Sequence, residues 1–281
     1  MTYENEYWDV QGTDGLWYSL HDYAIHVESI YGARTGVPNL RGGNIAVYGR
    51  PGQVHQPKVA DQRTLTLRGW VSNEDSAGTV LGTDCGQGLE TNWRWLRRLL
   101  WRENGETFQL RRRWYDENEV LLTAIADVEY SNGLDLSQHV YEAGRWTCGL
   151  NLPNPYFWGP EETIELAVDT PTVVTNLGDV STSRITADFI GILQNPEIRN
   201  SSTAPEVWLR LGTSIAALDN VLADVDAYTV VRTSDSGNLI SAVTRSGARP
   251  WMLLVPGSNT MTLTATSGAG TVDLAWQPAY L

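Results

Sequence analysis

Carboxylates, cysteines, histidines and a few tryptophans are the side chains of this sequence that could carry chemistry. Glu161-Glu162 and Asp224-x-Asp226 are the acidic pairs a glycosidase would draw on, since glycoside hydrolysis takes two carboxylates roughly 5 to 10 Å apart. Both pairs fall on expected loops without a partner motif, and neighbouring acids arise easily by chance in a chain of net charge −13. Cys85 and Cys148 are the only cysteines and form no C-x-x-C, so two thiols are the simpler reading and a disulfide the alternative. His21, His26, His55 and His139 have neither H-x3-H spacing nor cysteine partners, which gives a zinc site no support. Arg41-Gly42-Gly43-Asn44 is glycine-rich but lacks the strand-to-helix context and the spacing of a phosphate cradle. No catalytic residue, metal or cofactor is expected. Trp208, Trp251 and Trp276 could form a stacking platform for sugar, although single tryptophans in strands more often fill cores.

The elements that would position these groups are mostly strands. The exception is residues 91–102, TNWRWLRRLLWR, where Trp93, Leu96, Leu99 and Leu100 recur at spacings of three and four while Arg94, Arg97, Arg98 and Arg102 cover the remainder. The spacing predicts a helix laid on a sheet, with its arginines and Trp95 either wet or forming a docking face, because Arg and Trp are over-represented at interface hot spots. Residues 63–71 alternate Leu65, Leu67 and Val71 against Thr64, Thr66, Arg68 and Trp70, and residues 145–152 alternate Trp146, Cys148, Leu150 and Leu152 against polar neighbours. Residues 107–115 and 120–130 read as a hairpin around a polar turn at 116–119. Arg111, Arg112 and Arg113 put at least one charge on its inward face, which places that strand at an edge or against another subunit; Arg112 reaching out to water is the alternative.

Pro153, Pro155 and Pro160 end the strand-rich first half, giving domains at 1–155 and 156–281. Beyond them strands are expected at 164–168, 184–190, 206–211, 228–233, 251–254 and 260–266, the last with Met261, Leu263 and Ala265 facing in and threonines out. Short strands at such intervals predict a β-sandwich. The fold class expected is therefore mainly β: a β-rich N-terminal domain with one packed α-helix, then a C-terminal sandwich.

Composition narrows the function further. Of 281 residues, 42% are hydrophobic and 19% charged, and no apolar run approaches the roughly 20 residues of a membrane helix. The start, MTYENEYWDV, has no basic segment followed by an apolar one, so no signal peptide is expected. Fourteen basic and 20 acidic residues precede Pro155, and 6 and 13 follow it. Both halves being acidic argues against nucleic-acid binding, which needs a cationic field. All but one of the 20 basic residues are arginine, Lys58 being the exception; codon composition in a high-GC genome is the first reading of that bias, and each arginine also brings a rigid fork suited to interfaces.

The order of motifs is familiar: R-G-G-N-I, R-P-G, T-L-T-L-R-G-W-V, N-W-R-x-L-R-R-L-L-W, N-P-Y-F-W-G, and W-x-L-L-V-P-G-S-N-T at the end of the sandwich. In this order the chain resembles the distal tail (Dit-like) minor tail proteins of long-tailed bacteriophages, most of all those of phages infecting actinobacteria. The resemblance implies a non-enzymatic virion protein whose N-terminal domain closes into a ring, usually a homohexamer, joining the tail tube to the tail tip or baseplate. A galectin-like sandwich would project outward. The partners implied are further copies of itself, the tail tube protein, the tail tip, hub or tail-spike protein and the tape measure protein, with no nucleic acid and no membrane. Its place would be the virion tail tip, after assembly in the host cytoplasm. Interface candidates are Arg41, Asn44, Arg94, Arg98, Arg111, Arg112 and Arg113. The alternative is a carbohydrate-binding protein whose sandwich contacts host cell-wall glycan through Trp208, Trp251 and Trp276.

Overall fold

Alternation in the sequence decides most of the backbone. A computed structural model describes residues 6–31, 38–42, 45–46, 53–54, 59–82, 85–140, 143–247 and 251–281. It is mainly β, with one α-helix among the described residues, and divides into two units, Met1–Phe157 with Leu281, and Trp158–Tyr280.

The first unit contains β1 (Glu6–Gln11), β2 (Trp17–Ser19), β3 (Ile25–Tyr31), β4 (Arg63–Ser72), helix α1 (Cys85–Leu100), β5 (Phe108–Tyr115), β6 (Leu121–Val140) and β7 (Ala143–Leu152). The strands pair antiparallel along the path β2-β1-β5-β6-β7-β4-β3. Its two ends meet at one corner, where Val27 N–H donates to the Leu20 carbonyl and Leu20 N–H to the Trp8 carbonyl, both at 2.8 Å. Leu65, Leu67 and Val71 of β4 and Trp146, Cys148, Leu150 and Leu152 of β7 are buried, so each strand turns its apolar period inward.

Helix α1 lays Leu89, Trp93, Leu96, Leu99 and Leu100 into this core. Full burial of a leucine contributes about 2 kcal/mol. Asn92 Nδ2 donates to the Ser72 and Glu74 carbonyls at 2.8 and 2.7 Å, which fixes the helix to the end of β4. The helix begins at Cys85, ahead of the expected residue 91, because Gly86 and Gly88 weaken local propensity and tertiary contact overrides it. Gly88 is needed there: a Cβ would stand 2.8 Å from the Asn73 carbonyl oxygen.

Two further expectations are corrected. Strand β6 does not stop near residue 130 but runs to Val140, absorbing Asn132 and Gly133 through register shifts against β7, as β-bulges do. Strand β5 is no edge: it lies between β1 and β6.

The second unit is a sandwich of two antiparallel sheets. Its strands are β8 (Glu162–Ala167), β9 (Thr172–Asn176), β10 (Ile185–Ile190), β11 (Glu197–Asn200), β12 (Val207–Leu211), β13 (Asn220–Asp224), β14 (Thr229–Arg232), β15 (Val243–Arg245), β16 (Gly257–Thr264) and β17 (Thr271–Trp276). One sheet runs β8-β17-β10-β13-β14, the other β9-β16-β11-β12-β15. Their inner faces share one apolar core that includes Phe189, Ile198, Leu209, Leu263 and Leu274.

Three buried asparagines fasten the 251–259 segment. Asn176 Nδ2 donates to the Leu254 carbonyl at 3.1 Å, Asn200 Nδ2 to the Leu253 carbonyl at 2.7 Å, and Asn259 Nδ2 to the Val255 carbonyl at 2.8 Å. Residues 251–254 are therefore not the strand the sequence suggests. Trp251, Met252 and Leu254 fill the core, and only an isolated bridge joins Leu254 to Thr182.

Candidate interaction surfaces

Strands β1 and β5 decide the fate of the three consecutive arginines. Their register sets Tyr7 opposite Arg113, Trp8 opposite Arg112 and Asp9 opposite Arg111. On one face Asp9, its side chain 3% exposed, accepts from Arg111 Nε at 2.8 Å and from Arg113 Nε and Nη2 at 2.8 and 2.9 Å. On the other face Arg112 Nε meets Glu6 Oε1 at 2.5 Å, with side chains only 6% and 8% exposed. Arg112 Nη1 also donates to the Leu281 carbonyl at 2.9 Å, and its guanidinium lies 4.6 Å from the Trp114 ring centroid. The inward charge is satisfied inside the protomer.

Beside this network His21 and His26 meet edge to face with ring centroids 5.1 Å apart, and His26 stacks on Trp70 at 5.3 Å. Burial, together with the neighbouring His26, pushes the His21 pKa down to about 4.

Helix α1 carries three exposed cations in one stripe. Arg94, Arg97 and Arg98 face solvent; Arg94 Nε pairs with Glu90 at 2.8 Å, a surface contact of a few tenths of a kcal/mol. Trp101, 50% exposed, continues the stripe, with its N–H donating to the Arg97 carbonyl at 2.9 Å. It was not singled out from sequence, although an apolar ring one turn beyond Arg97 and Arg98 is a readable signal. Arg102, expected on the wet face, is buried instead and donates to the Gln11 carbonyl at 2.7 Å. Trp95 packs edge-on against Tyr18 at 5.1 Å. Arg41 is exposed on a two-residue strand paired with Val59–Ala60, and Asn44 lies outside the described residues.

The three tryptophans proposed for sugar do not come together. Trp251 and Trp276 are each 6% exposed, inside the sandwich core. Trp208 is half-buried on the outer face of β12, opposite Arg199, with the Arg210 guanidinium 5.8 Å from its ring centroid. Glu197 lies between the two arginines, 2.7 Å from Arg199 Nη2 and 2.6 Å from Arg210 Nη2.

The remaining chemical candidates are dispersed. Asp224 accepts from the Ala227 N–H at 2.9 Å at the end of β13, and Glu162 lies on β8. Cys148 is a buried free thiol whose pKa burial raises to about 12. Among the described residues no cluster of His, Cys, Asp and Glu gathers to hold a metal, and no helix is long and apolar enough to cross a membrane.

A strand-rich unit with one packed helix followed by a two-sheet sandwich is a fold also seen in a solved phage protein. In particular, the chain is similar to the crystal structure of SPP1 Dit (gp 19.1), a paradigm of the hub adsorption apparatus in phages infecting Gram-positive bacteria. The TM-score is 0.61 at 19% identity, covering 97% of this chain and 98% of that one. At that identity the likeness is one of fold. Two structures of the phage P2 baseplate in its activated conformation, with Ca and with Sr, are 9% and 10% identical over 96% of this chain and 97% of theirs, with TM-scores of only 0.40 and 0.38. No family model and no curated protein matches the chain.

Proposed function

We propose that this chain is a non-enzymatic virion protein, the distal tail adaptor that joins a tail tube to the tail tip or baseplate of a long-tailed phage as a closed homohexameric ring. The observation that carries this reading is the likeness to SPP1 Dit, which spans nearly the whole of both chains. The motif order of the sequence supports it and extends it to phages infecting actinobacteria. Copies meet through exposed groups of the first unit, Arg94, Arg98 and Arg41, with Asn44, which follows Arg41 in sequence, as a further candidate. Arg111, Arg112 and Arg113 contribute by holding β1 and β5 in place, since their charges are already matched by Asp9 and Glu6. Native mass spectrometry and light scattering on the full chain test this: six copies are expected, and a monomer at every concentration rejects it. The neighbours above and below, namely tube, tape measure and tip or spike proteins, follow from the same reading and are checked by locating the chain in a virion.

A second reading rests on Trp208. A half-buried indole flanked by Arg199, Arg210 and Glu206 on an open sheet face offers both a stacking plane and planar hydrogen-bonding groups, the combination that sugars select. A glycan array with the full chain and with Trp208→Ala decides it: binding that the substitution abolishes supports a cell-wall glycan contact, and no binding removes it.

A further inference from the structure

The turn between β5 and β6 holds its own shape and presents what it does not use. Asp116 closes it: its Oδ1 accepts from the Asn118 and Val120 N–H groups, both at 2.8 Å, and its own N–H donates to the Val120 carbonyl at 3.0 Å. That carboxylate is spent on the backbone, whereas Glu117 and Glu119 stand exposed at the tip. Just below them Tyr115 lies directly opposite Leu121, and both are exposed together with Val120. Clustered exposed apolar side chains rimmed by polar groups mark interaction sites, whereas single ones need no explanation. Among the described residues no salt bridge reaches either glutamate.

The stripe on α1 has the opposite charge. Arg94 is held by Glu90, but among the described residues no salt bridge reaches Arg97 or Arg98, and the exposed Trp101 follows them after one helical turn, a rise of about 5 Å. Glu103 and Glu106 are exposed beyond Trp101, past the end of the helix, so the cations lie on the turn before the ring and the acids after it. The two patches cannot meet within one protomer. The end of α1 sits at the start of β5, where the Arg102 guanidinium lies 5.4 Å from the Phe108 ring centroid. The tip follows Tyr115, seven strand steps or about 23 Å away. We infer that the hairpin tip of one copy, residues 115–121, docks on the α1 stripe of a second copy, with Glu117 and Glu119 on Arg97 and Arg98, and Tyr115, Val120 and Leu121 against Trp101. Arginine forks bind carboxylates strongly, and Arg with Trp is the composition of interface hot spots. A tip already fixed by its own hydrogen bonds loses little freedom on docking. Patches at opposite ends of one strand meet head to tail, the type of contact that closes rings, and both belong to the first unit. The inference rests on the self-assembly reading above and names the surface that receives the helix.

The test uses the full chain, followed by light scattering and native mass spectrometry over a concentration series. Glu117→Arg with Glu119→Arg, and separately Arg97→Glu with Arg98→Glu, are each expected to raise the concentration needed for assembly by at least about tenfold, since reversal turns two attractive pairs into two repulsive ones. Combining all four substitutions restores assembly, which a variant that simply misfolds cannot do. The milder Glu117→Gln with Glu119→Gln leaves the Asp116 hydrogen bonds in place and is expected to weaken assembly in the same direction. Trp101→Ala, at an exposed position, is expected to weaken it as well. Assembly indifferent to both reversals and to Trp101→Ala overturns the inference, leaves the self-assembly reading intact and assigns the tip to a different protein. Loss with each reversal but no rescue also overturns it. A wild type that stays monomeric at every concentration overturns both readings.

Discussion

Removing the Arg112 guanidinium, as in Arg112→Leu, takes away the charge that the buried Glu6 meets and the cation that lies over the Trp8 and Trp114 rings. The expected cost is about 3 to 5 kcal/mol, as for breaking a buried ion pair by removing one partner. Changing both partners, Glu6→Gln with Arg112→Met, is expected to cost clearly less than the single change in urea denaturation. His21 sets a second, pH-dependent limit at this scale. Its folded pKa of about 4 lies below the ordinary value of 6.5, so the unfolded chain takes up the proton first. The stability it contributes is therefore complete above about pH 6.5 and is lost as pH falls toward 4, by about 2 to 3 kcal/mol. His21→Gln is expected to flatten that part of the stability profile relative to wild type between about pH 7 and pH 4.5. Equal acid sensitivity in both proteins counts against the assignment.

At the scale of elements, α1 shows how contact overrides propensity. Gly88 occupies a helical position where alanine would gain about 1 kcal/mol in an isolated helix. Here its Cβ would press on the Asn73 carbonyl and on Leu81, so Gly88→Ala is expected to lower stability by about 1 to 3 kcal/mol in thermal denaturation. An increase would show that the helix and the 73–81 segment are less closely apposed. Asn92 acts from the same side: Asn92→Leu leaves the Ser72 and Glu74 carbonyls without their donor and is expected to cost about 2 kcal/mol. The 63–72 and 145–152 strands were legible in the sequence, because one buried and one open face write alternation directly into it. Strands β9, β11, β13, β15 and β17 of the sandwich are not legible in it. Val-Val-Thr and Leu-Ala-Asp runs alternate weakly, and buried Asn200 and Glu197 read as surface residues until their partners are known.

For the whole molecule, a net charge of −13 sets what the protein meets. Duplex DNA is not expected to be retarded by it in a gel at about 0.1 M salt, since there is no cationic field to displace phosphate counterions; a shift would overturn the electrostatic argument. By itself the sequence determined the mainly β class and the helix, and it carries the motif order on which the resemblance rests, because these depend on local period and on linear order. The tertiary structure decided which charges are available. Arg111, Arg112 and Arg113 are neighbours in sequence, yet strand pairing turns them to Asp9 and Glu6, and Arg102 is tied to Gln11. Charge is a property of a residue, whereas its partner is set by register, and register comes from contacts between segments far apart in the chain.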